Sequence, residues 1–272
     1  MSPPPGEPRE HGRSLPAAFC GGAVVGALGG LIGLGGAEFR LPLLIGMFRF
    51  AALEAVILNK ATSLVVVAFA LPLRAAAVPL GAVAAEWPII LNLLAGSLLG
   101  AWAGAGWATR LKSRTLYRVI AALLVLIAVV LILGHGLDTT GRALLPPGPA
   151  RWIAGVVAGF GIGIVASLLG VAGGELLIPT LVLLFAVDVK LAGSLSLAVS
   201  LPTMLVGFAR YAADSSFAVL GRNRTFFLVM AAGSIAGVFI GGQLLGVAPA
   251  GFLLPLLTAI LLISAAKVWR HA

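Results

Sequence analysis

The sequence has few of the residues on which enzymes, metal sites and disulfide-bonded folds depend. Its 272 residues include one cysteine, Cys20, and three histidines, His11, His135 and His271. A single cysteine excludes an internal disulfide. Metal sites need clustered His, Asp or Cys ligands, and an intramembrane serine protease needs a histidine at membrane depth. These histidines lie in predicted tails and loops, so we expect no enzyme, no metal and no cofactor.

Charge is also scarce, and its scarcity excludes a soluble domain. Charged residues make up 10% of the chain, against about 25% in soluble domains, and hydrophobic residues make up 60%. Apolar runs such as Pro88–Ala108 and Phe226–Leu245 match the ~20 residues that cross a bilayer. They lack the alternation of a membrane β-barrel. The sequence therefore predicts an all-α polytopic membrane protein.

The net charge of +9 would suit nucleic acid, but the basic residues stand in short loops between apolar runs. That distribution is what orientation in a membrane requires. We expect the lipid bilayer and a small anion as partners, and no nucleic acid. Assembly as a monomer or as a homodimer is left open.

The apolar runs predict ten helical segments in two sets of five. The first set is Leu15–Leu34, Glu38–Phe50, Leu53–Leu73, Pro88–Ala108 and Leu116–Leu133, and the second is Trp152–Leu169, Glu175–Val187, Leu191–Arg210, Thr225–Leu245 and Gly251–Trp269. Residues 1–14 are predicted to be a disordered cytoplasmic tail. Residues 15–133 form repeat 1, residues 134–151 a proline-rich linker, and residues 152–272 repeat 2.

One short motif occurs twice, at an offset of 137 residues. Residues 31–42 read LIGLGGAEFRLP and residues 168–179 read LLGVAGGELLIP. The offset matches Gly33 with Gly170, Gly36 with Gly173, Glu38 with Glu175 and Pro42 with Pro179. Each copy places a glycine-broken backbone and a carboxylate between apolar runs. A carboxylate at membrane depth is expensive, and paired breaks in two halves of a chain are typical of transporter binding sites.

A second pattern recurs at the same offset. Gly96-Ser97-x-x-Gly100-x-x-x-Gly104 returns as Gly233-Ser234-x-x-Gly237-x-x-x-Gly241. These glycines could line a passage with backbone, or they could let two helices approach closely. We favour helix packing.

The basic residues predict how the two halves are oriented. If only the four longer segments of each repeat cross, the two sides hold ten and seven bases, which decides nothing. If the short segments count as crossings or as re-entrant hairpins, the sides hold twelve and four. The twelve are Arg9, Arg13, Arg49, Arg110, Lys112, Arg114, Arg118, Arg210, Arg222, Arg224, Lys267 and Arg270, and the four are Arg74, Arg142, Arg151 and Lys190. The positive-inside rule then predicts inverted repeats with both termini in the cytoplasm.

The glycine breaks are candidate anion sites. A helix that starts after a break exposes free N–H groups and the positive end of its dipole, which bind anions. Two such helices meeting near the midplane would form a cage. The candidate residues are Gly33, Gly35, Gly36, Gly170, Gly173 and Gly174. Glu38 and Glu175 either carry protons that couple transport or cap the helix that they begin, and capping is slightly favoured.

Polar side chains beyond each break could complete the site. Arg40 has no counterpart in repeat 2, and it could grip an oxyanion, pair with Glu38 or snorkel to the interface. Asn59, Lys60, Thr62 and Ser63 follow in repeat 1, and Ser194 and Ser196 follow in repeat 2 in a register shifted by a few residues. They could bind substrate or join helices. Lys60 needs an anion or a carboxylate unless it lies near an interface.

The two motifs, their prolines and the Asn59-Lys60-Ala61-Thr62-Ser63-Leu64 run resemble the TauE/SafE sulfite-exporter family, also called the toluene-sulfonate uptake permease family. The resemblance extends from about Leu15 to Trp269. It implies transport of sulfite, organosulfonates such as sulfoacetate, and related anions across the bacterial plasma membrane. Ala172 departs from the pattern, since the first motif has Gly35 at that place.

We therefore expect a secondary transporter of small sulfur-containing anions that works by alternating access. Coupling to protons stays open, as do the anion and the direction of transport. The alternatives are a transporter of other small carboxylates or oxyanions and a membrane scaffold that transports nothing. The scaffold alternative leaves the paired breaks with carboxylates unexplained.

Overall fold

The computed structural model describes residues 14–32, 36–75, 78–135, 143–244 and 250–270. Within these ranges the chain forms helices and no strand, which confirms the all-helical prediction. The helices are α1 Leu15–Ile32, α2 Ala37–Gly46, α3 Ala52–Ala75, α4 Leu80–Ala85, α5 Trp87–Ala108, α6 Ser113–His135, α7 Pro149–Leu169, α8 Gly174–Phe185, α9 Val189–Tyr211, α10 Val219–Arg222, α11 Arg224–Leu244 and α12 Ala250–Trp269. A 3-10 turn, Ser215–Ala218, precedes α10.

Each of the ten predicted segments corresponds to a helix, but two short helices were missed. α4 begins after Pro79 and ends before Trp87, and α10 has four residues. Both are too short to produce a periodic apolar signal. The repeat and linker boundaries stay predictions, and tail residues 1–13 and linker residues 136–142 lie outside the described residues.

Six of the described helices are long and apolar enough to cross a membrane: α3, α5, α6, α7, α9 and α11. The motif helices are much shorter, with 10 residues in α2 and 12 in α8. At 1.5 Å per residue they extend about 15 and 18 Å, against a hydrocarbon core of about 30 Å. Neither can cross alone, which favours the re-entrant alternative for both.

Helices from the two predicted repeats pair with each other. α1 packs most extensively against α11, and α5 against α7. These pairs are equivalent at the offset of 137, since α1 corresponds to α7 and α5 to α11. The packing is therefore two-fold related. It does not distinguish inverted from parallel repeats, so inversion stays a prediction.

Glycines hold these pairs together. A Cβ on Gly100 in α5 would strike the backbone of Phe160 in α7, and one on Gly237 in α11 would strike Ala23 in α1. The contacts are reciprocal, because Gly163 in α7 likewise faces the backbone of Ser97. The repeated glycine pattern thus lets helices approach to backbone contact, which is the helix-packing interpretation.

α3 and α9 lie at the centre of the bundle. In the membrane span of α3, 67% of the residues are buried, and in that of α9, 61% are buried. In α6, by contrast, 33% are buried. The two central helices contact each other and the motif helices α2 and α8. Most of the buried polar side chains are on α3 and α9. The fold therefore brings both motifs to one polar centre.

Candidate functional site

Both motifs have the same backbone conformation where the short helix begins. Gly36 has φ 69° and ψ 19°, and Gly173 has φ 81° and ψ 10°. This left-handed region is one that glycine enters without strain. Gly174, another predicted site residue, is the first residue of α8. Gly33 and Gly35, which were also predicted, lie outside the described residues.

Each short helix folds back along the helix before it. Gly36 lies beside Val25 and Gly29 of α1, and Gly173 lies beside Ile162 and Ala166 of α7. These neighbours also correspond at the offset of 137, so the sequence repeat is a structural repeat at the motif. Gly170 ends α7 in the same left-handed conformation, with φ 67°. In the second motif, where residues 170–173 are described, the break is a helical hairpin whose turn begins and ends with left-handed glycines.

Arg40, on α2, is fully buried and points at α3. Its Nη1 donates to Ser63 Oγ at 3.1 Å and to Asn59 Oδ1 at 3.4 Å. Its Nε and Nη2 are buried and have no hydrogen-bond partner in the described residues. No salt bridge joins Arg40 to Glu38 there. Nη1 therefore bonds to other residues of the protein, whereas the edge formed by Nε and Nη2 has no hydrogen-bond acceptor among the described residues.

Asn59 ties the two motifs together. Its Nδ2 donates to the carbonyl of Ala37, at the start of α2, and to that of Leu169, at the end of α7, both at 3.0 Å. Its Oδ1 accepts from Arg40. Both amide hydrogens are used within the protein, so Asn59 holds Arg40 and the two glycine breaks in place.

The two motif carboxyls meet each other. Glu38 and Glu175, each in the first turn of its short helix, interact directly through their side chains. Each carboxyl also lies near its own backbone N–H, at the start of its short helix. However, Oε1 of Glu38 and both oxygens of Glu175 lack a well-formed hydrogen bond. Capping alone therefore leaves three of the four carboxyl oxygens without a hydrogen-bond partner among the described residues.

Lys60 is buried on another face of α3. Its Nζ donates to the carbonyl of Ala166 and to Ser167 Oγ, both at a long 3.4 Å. Its amine end also lies against Gly207 of α9. Neither Arg40 nor either motif glutamate is among its hydrogen-bond partners in the part of the chain that the structure describes. The two predicted buried bases therefore belong to separate clusters.

The predicted hydroxyls differ in what they contact. Ser63 binds Arg40, whereas Thr62 donates to Leu58 O at 2.8 Å and Ser196 to Gly193 O at 2.9 Å, each within its own helix. The hydroxyl of Ser194 is buried without a partner. Of the predicted hydroxyls, only Ser63 is brought to Arg40.

Ser200 is a site residue that the sequence reasoning missed. Its Oγ donates to the carbonyl of Ala172, inside the second motif, at 2.7 Å. Ser200 stands at the constant offset of 137 from Ser63, and Ser196 stands at the same offset from Asn59. The unshifted register would have found Ser200, because Ser63 contacts Arg40 of the first motif helix and Ser200 contacts Ala172 of the second motif.

The described residues hold no group of three or more metal-ligating side chains. What they hold is a buried polar centre with a guanidinium edge, two carboxyls and two helix starts. Oxygen-bearing anions are the chemistry that such a guanidinium edge suits.

A comparison with protein families matches residues 17–268, nearly the whole chain, to the family described as Sulfite exporter TauE/SafE. No curated protein matches the chain, and no solved structure does.

Proposed function

The chain belongs to the sulfite exporter TauE/SafE family, and on that premise we propose that it moves sulfite or a small organosulfonate by alternating access around Arg40. The family and the six long apolar helices make it a multi-pass membrane transporter of sulfur anions such as sulfite. Members of the family are transporters and not enzymes. The anion, the mechanism and the orientation are the parts that we propose.

The free edge of Arg40 is the observation that carries this proposal. Nε–H and one Nη2–H of a guanidinium point the same way and bind two oxygens of one anion. Both nitrogens are buried and unpartnered, and Nη1 is anchored by Ser63 and Asn59. An unpaired buried donor costs about 1–3 kcal/mol, and more when it is charged. An oxyanion that accepts from this edge would remove that cost.

Sulfite and sulfonates have the right shape for this edge. Both present three oxygens on one sulfur, so two can accept from Arg40 while the third remains for another donor. The N–H groups that begin α2 and α8 are candidates for that donor, because a helix start leaves its first N–H groups without intrahelical acceptors. In α2 the bonds to Gly36 O begin at Phe39, and in α8 the bonds to Gly173 O begin at Leu176.

Alternating access by inverted repeats has support in the contact between α3 and α9. The equivalent of Lys60 is Leu197, but the amine of Lys60 lies against Gly207, further along α9. Helices related by a two-fold axis in the membrane plane run antiparallel, so a residue that lies away from the axis contacts a position displaced from its own equivalent. This geometry supports a pair of breaks that face each other across the midplane.

The proposal can be tested with purified protein in proteoliposomes. Uptake and efflux of sulfite, sulfoacetate, thiosulfate and oxalate would be measured against protein-free liposomes. We expect exchange of sulfite or of a sulfonate. Transport of oxalate alone would support the alternative of other oxyanions, and movement of none of the four anions would support the scaffold.

The second cluster gives a prediction about Lys60. Because its Nζ is held by Ala166 O and Ser167 Oγ, we expect Lys60→Gln to change the sulfite affinity by less than about threefold. Calorimetry in detergent measures this affinity. A loss comparable with that of an Arg40 variant would place Lys60 at the anion.

Orientation in the bacterial plasma membrane can be tested by cysteine labelling. In a Cys20→Ser background, Arg114→Cys is expected to resist a membrane-impermeant thiol reagent in intact cells, and Lys190→Cys to react. The motivation is the twelve-to-four distribution of bases, which places residue 114 with the cytoplasmic termini. Labelling of residue 114 from outside would refute this orientation, and opening the cells gives the positive control.

A further inference from the structure

The two motif carboxyls carry an inference that rests on the proposed function and deepens it. Glu38 is 2% exposed and Glu175 is 4% exposed, and the two side chains interact. Neither is salt-bridged in the described residues. Three of their four oxygens are buried without a well-formed hydrogen bond. The arrangement brings two acids, one from each motif, into the same desolvated space.

Two negative charges cannot easily share that space. Like charges in a low dielectric repel strongly, and a proton held between two carboxyls relieves the repulsion while forming a short charge-assisted hydrogen bond. The charged group that acts on the pair from α2 is Arg40, which attracts the charge of Glu38. Asn59 and Ser63, which face Arg40 from α3, are neutral, and Lys60 is bonded to Ala166 and Ser167 instead.

The charges of this centre balance in two states. With one proton on the pair, its single negative charge cancels the positive charge of Arg40. When a singly charged anion binds to the free edge of Arg40, the centre gains one negative charge. A second proton on the pair restores neutrality, and a neutral centre at membrane depth has the least electrostatic cost while the protein changes its accessible side.

We propose that Glu38 and Glu175 form one shared proton site, and that it takes up one proton with each singly charged anion. The protein is then a proton–anion symporter, in which the anion and the extra proton move in the same direction. The extra proton comes from the side from which the anion binds, and it leaves to the side on which the anion is released.

The test uses two assays on the same proteoliposomes with radiolabelled sulfite. In exchange, the liposomes contain unlabelled sulfite and the pH is equal on both sides. In accumulation, the outside is more acidic than the inside, and uptake into protein-free liposomes is subtracted. The variants are Glu38→Gln, Glu175→Gln and the double variant, each checked for monodisperse elution. Glu86→Gln, an acid outside the site, is the matched control.

We expect the wild type and Glu86→Gln to exchange sulfite and to accumulate it. Each single variant keeps one carboxyl that can release and regain a proton, so by the same charge balance both single variants are expected still to accumulate sulfite. The double variant has no carboxyl left to protonate, and it is expected to lose accumulation at least about tenfold while its exchange at equal pH stays measurable. A pH-sensitive dye inside the liposomes should also show protons entering wild-type liposomes with sulfite. That measurement needs no variant to fold.

Other results overturn the shared site. Loss of accumulation in one single variant only would place the proton on that residue alone. A double variant that accumulates like wild type, or that loses exchange as well, would remove the pair from coupling. Wild type that exchanges sulfite without accumulating it would refute symport and leave the proposed function standing. Absence of exchange of both sulfite and sulfoacetate in the wild type would refute the proposed function itself.

Discussion

Replacing Arg40 with glutamine is expected to weaken sulfite binding by about 100-fold and to reduce transport in proportion. Hydrogen bonds to charged groups contribute about 1.5–3 kcal/mol each, and the variant loses the two from Nε and Nη2. Even the low end of that range, about 3 kcal/mol for the pair, is a factor of about 100 at 1.4 kcal/mol per tenfold. Calorimetry in detergent measures the affinity, and sulfite exchange in proteoliposomes measures the transport.

Two companion variants separate the shape of Arg40 from its charge. Arg40→Lys keeps the charge but cannot present two fixed donors to one anion, so its affinity should fall between wild type and Arg40→Gln. Arg224→Gln removes an exposed base at the start of α11 and should bind sulfite as wild type does. Equal affinity in wild type and Arg40→Gln would mean that helix starts and hydroxyls hold the anion without this guanidinium.

The helices could be predicted from the sequence because their signal is local. Ten apolar runs gave ten helices, and glycine pairs marked the two breaks at Gly36 and Gly173. The helices that were missed, α4 and α10, have six and four residues. Segments that short have no periodicity to detect.

The site was predicted as a set of residues and not as an arrangement. The motifs and the polar run named Arg40, Asn59 and Ser63, but which side chains meet depends on how α3 is rotated against α2. That rotation brings Asn59 and Ser63 to Arg40 and turns Lys60 toward Ala166 and Ser167. It arises from packing between distant segments, on which local spacing carries no information.

Asn59 is a second residue whose contacts could not be predicted from local spacing in the sequence. The sequence favours no role for an asparagine between a substrate contact and a helix contact. The structure uses both of its amide hydrogens on the carbonyls of Ala37 and Leu169, which are 132 residues apart in the chain. A bond between segments so distant follows only from the assembled fold.

Adding one methyl group to the motif glycines should damage the protein in a graded order, with Gly36→Ala and Gly170→Ala the most harmful. Both glycines are left-handed, which costs other residues about 1–2 kcal/mol. A Cβ on Gly36 would strike the carbonyl of Val25, and one on Gly170 the carbonyl of Val56. Backbone cannot move aside as a side chain can, and overpacking adds about 1–3 kcal/mol.

Gly173→Ala should be milder, and Gly161→Ala nearly neutral. A Cβ on Gly173 would meet only side-chain atoms, Ile162 Cγ2 at 3.2 Å and Ala166 Cβ at 3.3 Å, so backbone strain is its main cost. Gly161, in α7, has nothing within 4 Å of such a Cβ and serves as the matched control. We expect the melting midpoint in detergent to fall by roughly 5–15 °C for Gly36→Ala and Gly170→Ala. If Gly173→Ala fell further than these two, the backbone contacts of Gly36 and Gly170 would not be what makes the breaks sensitive to size.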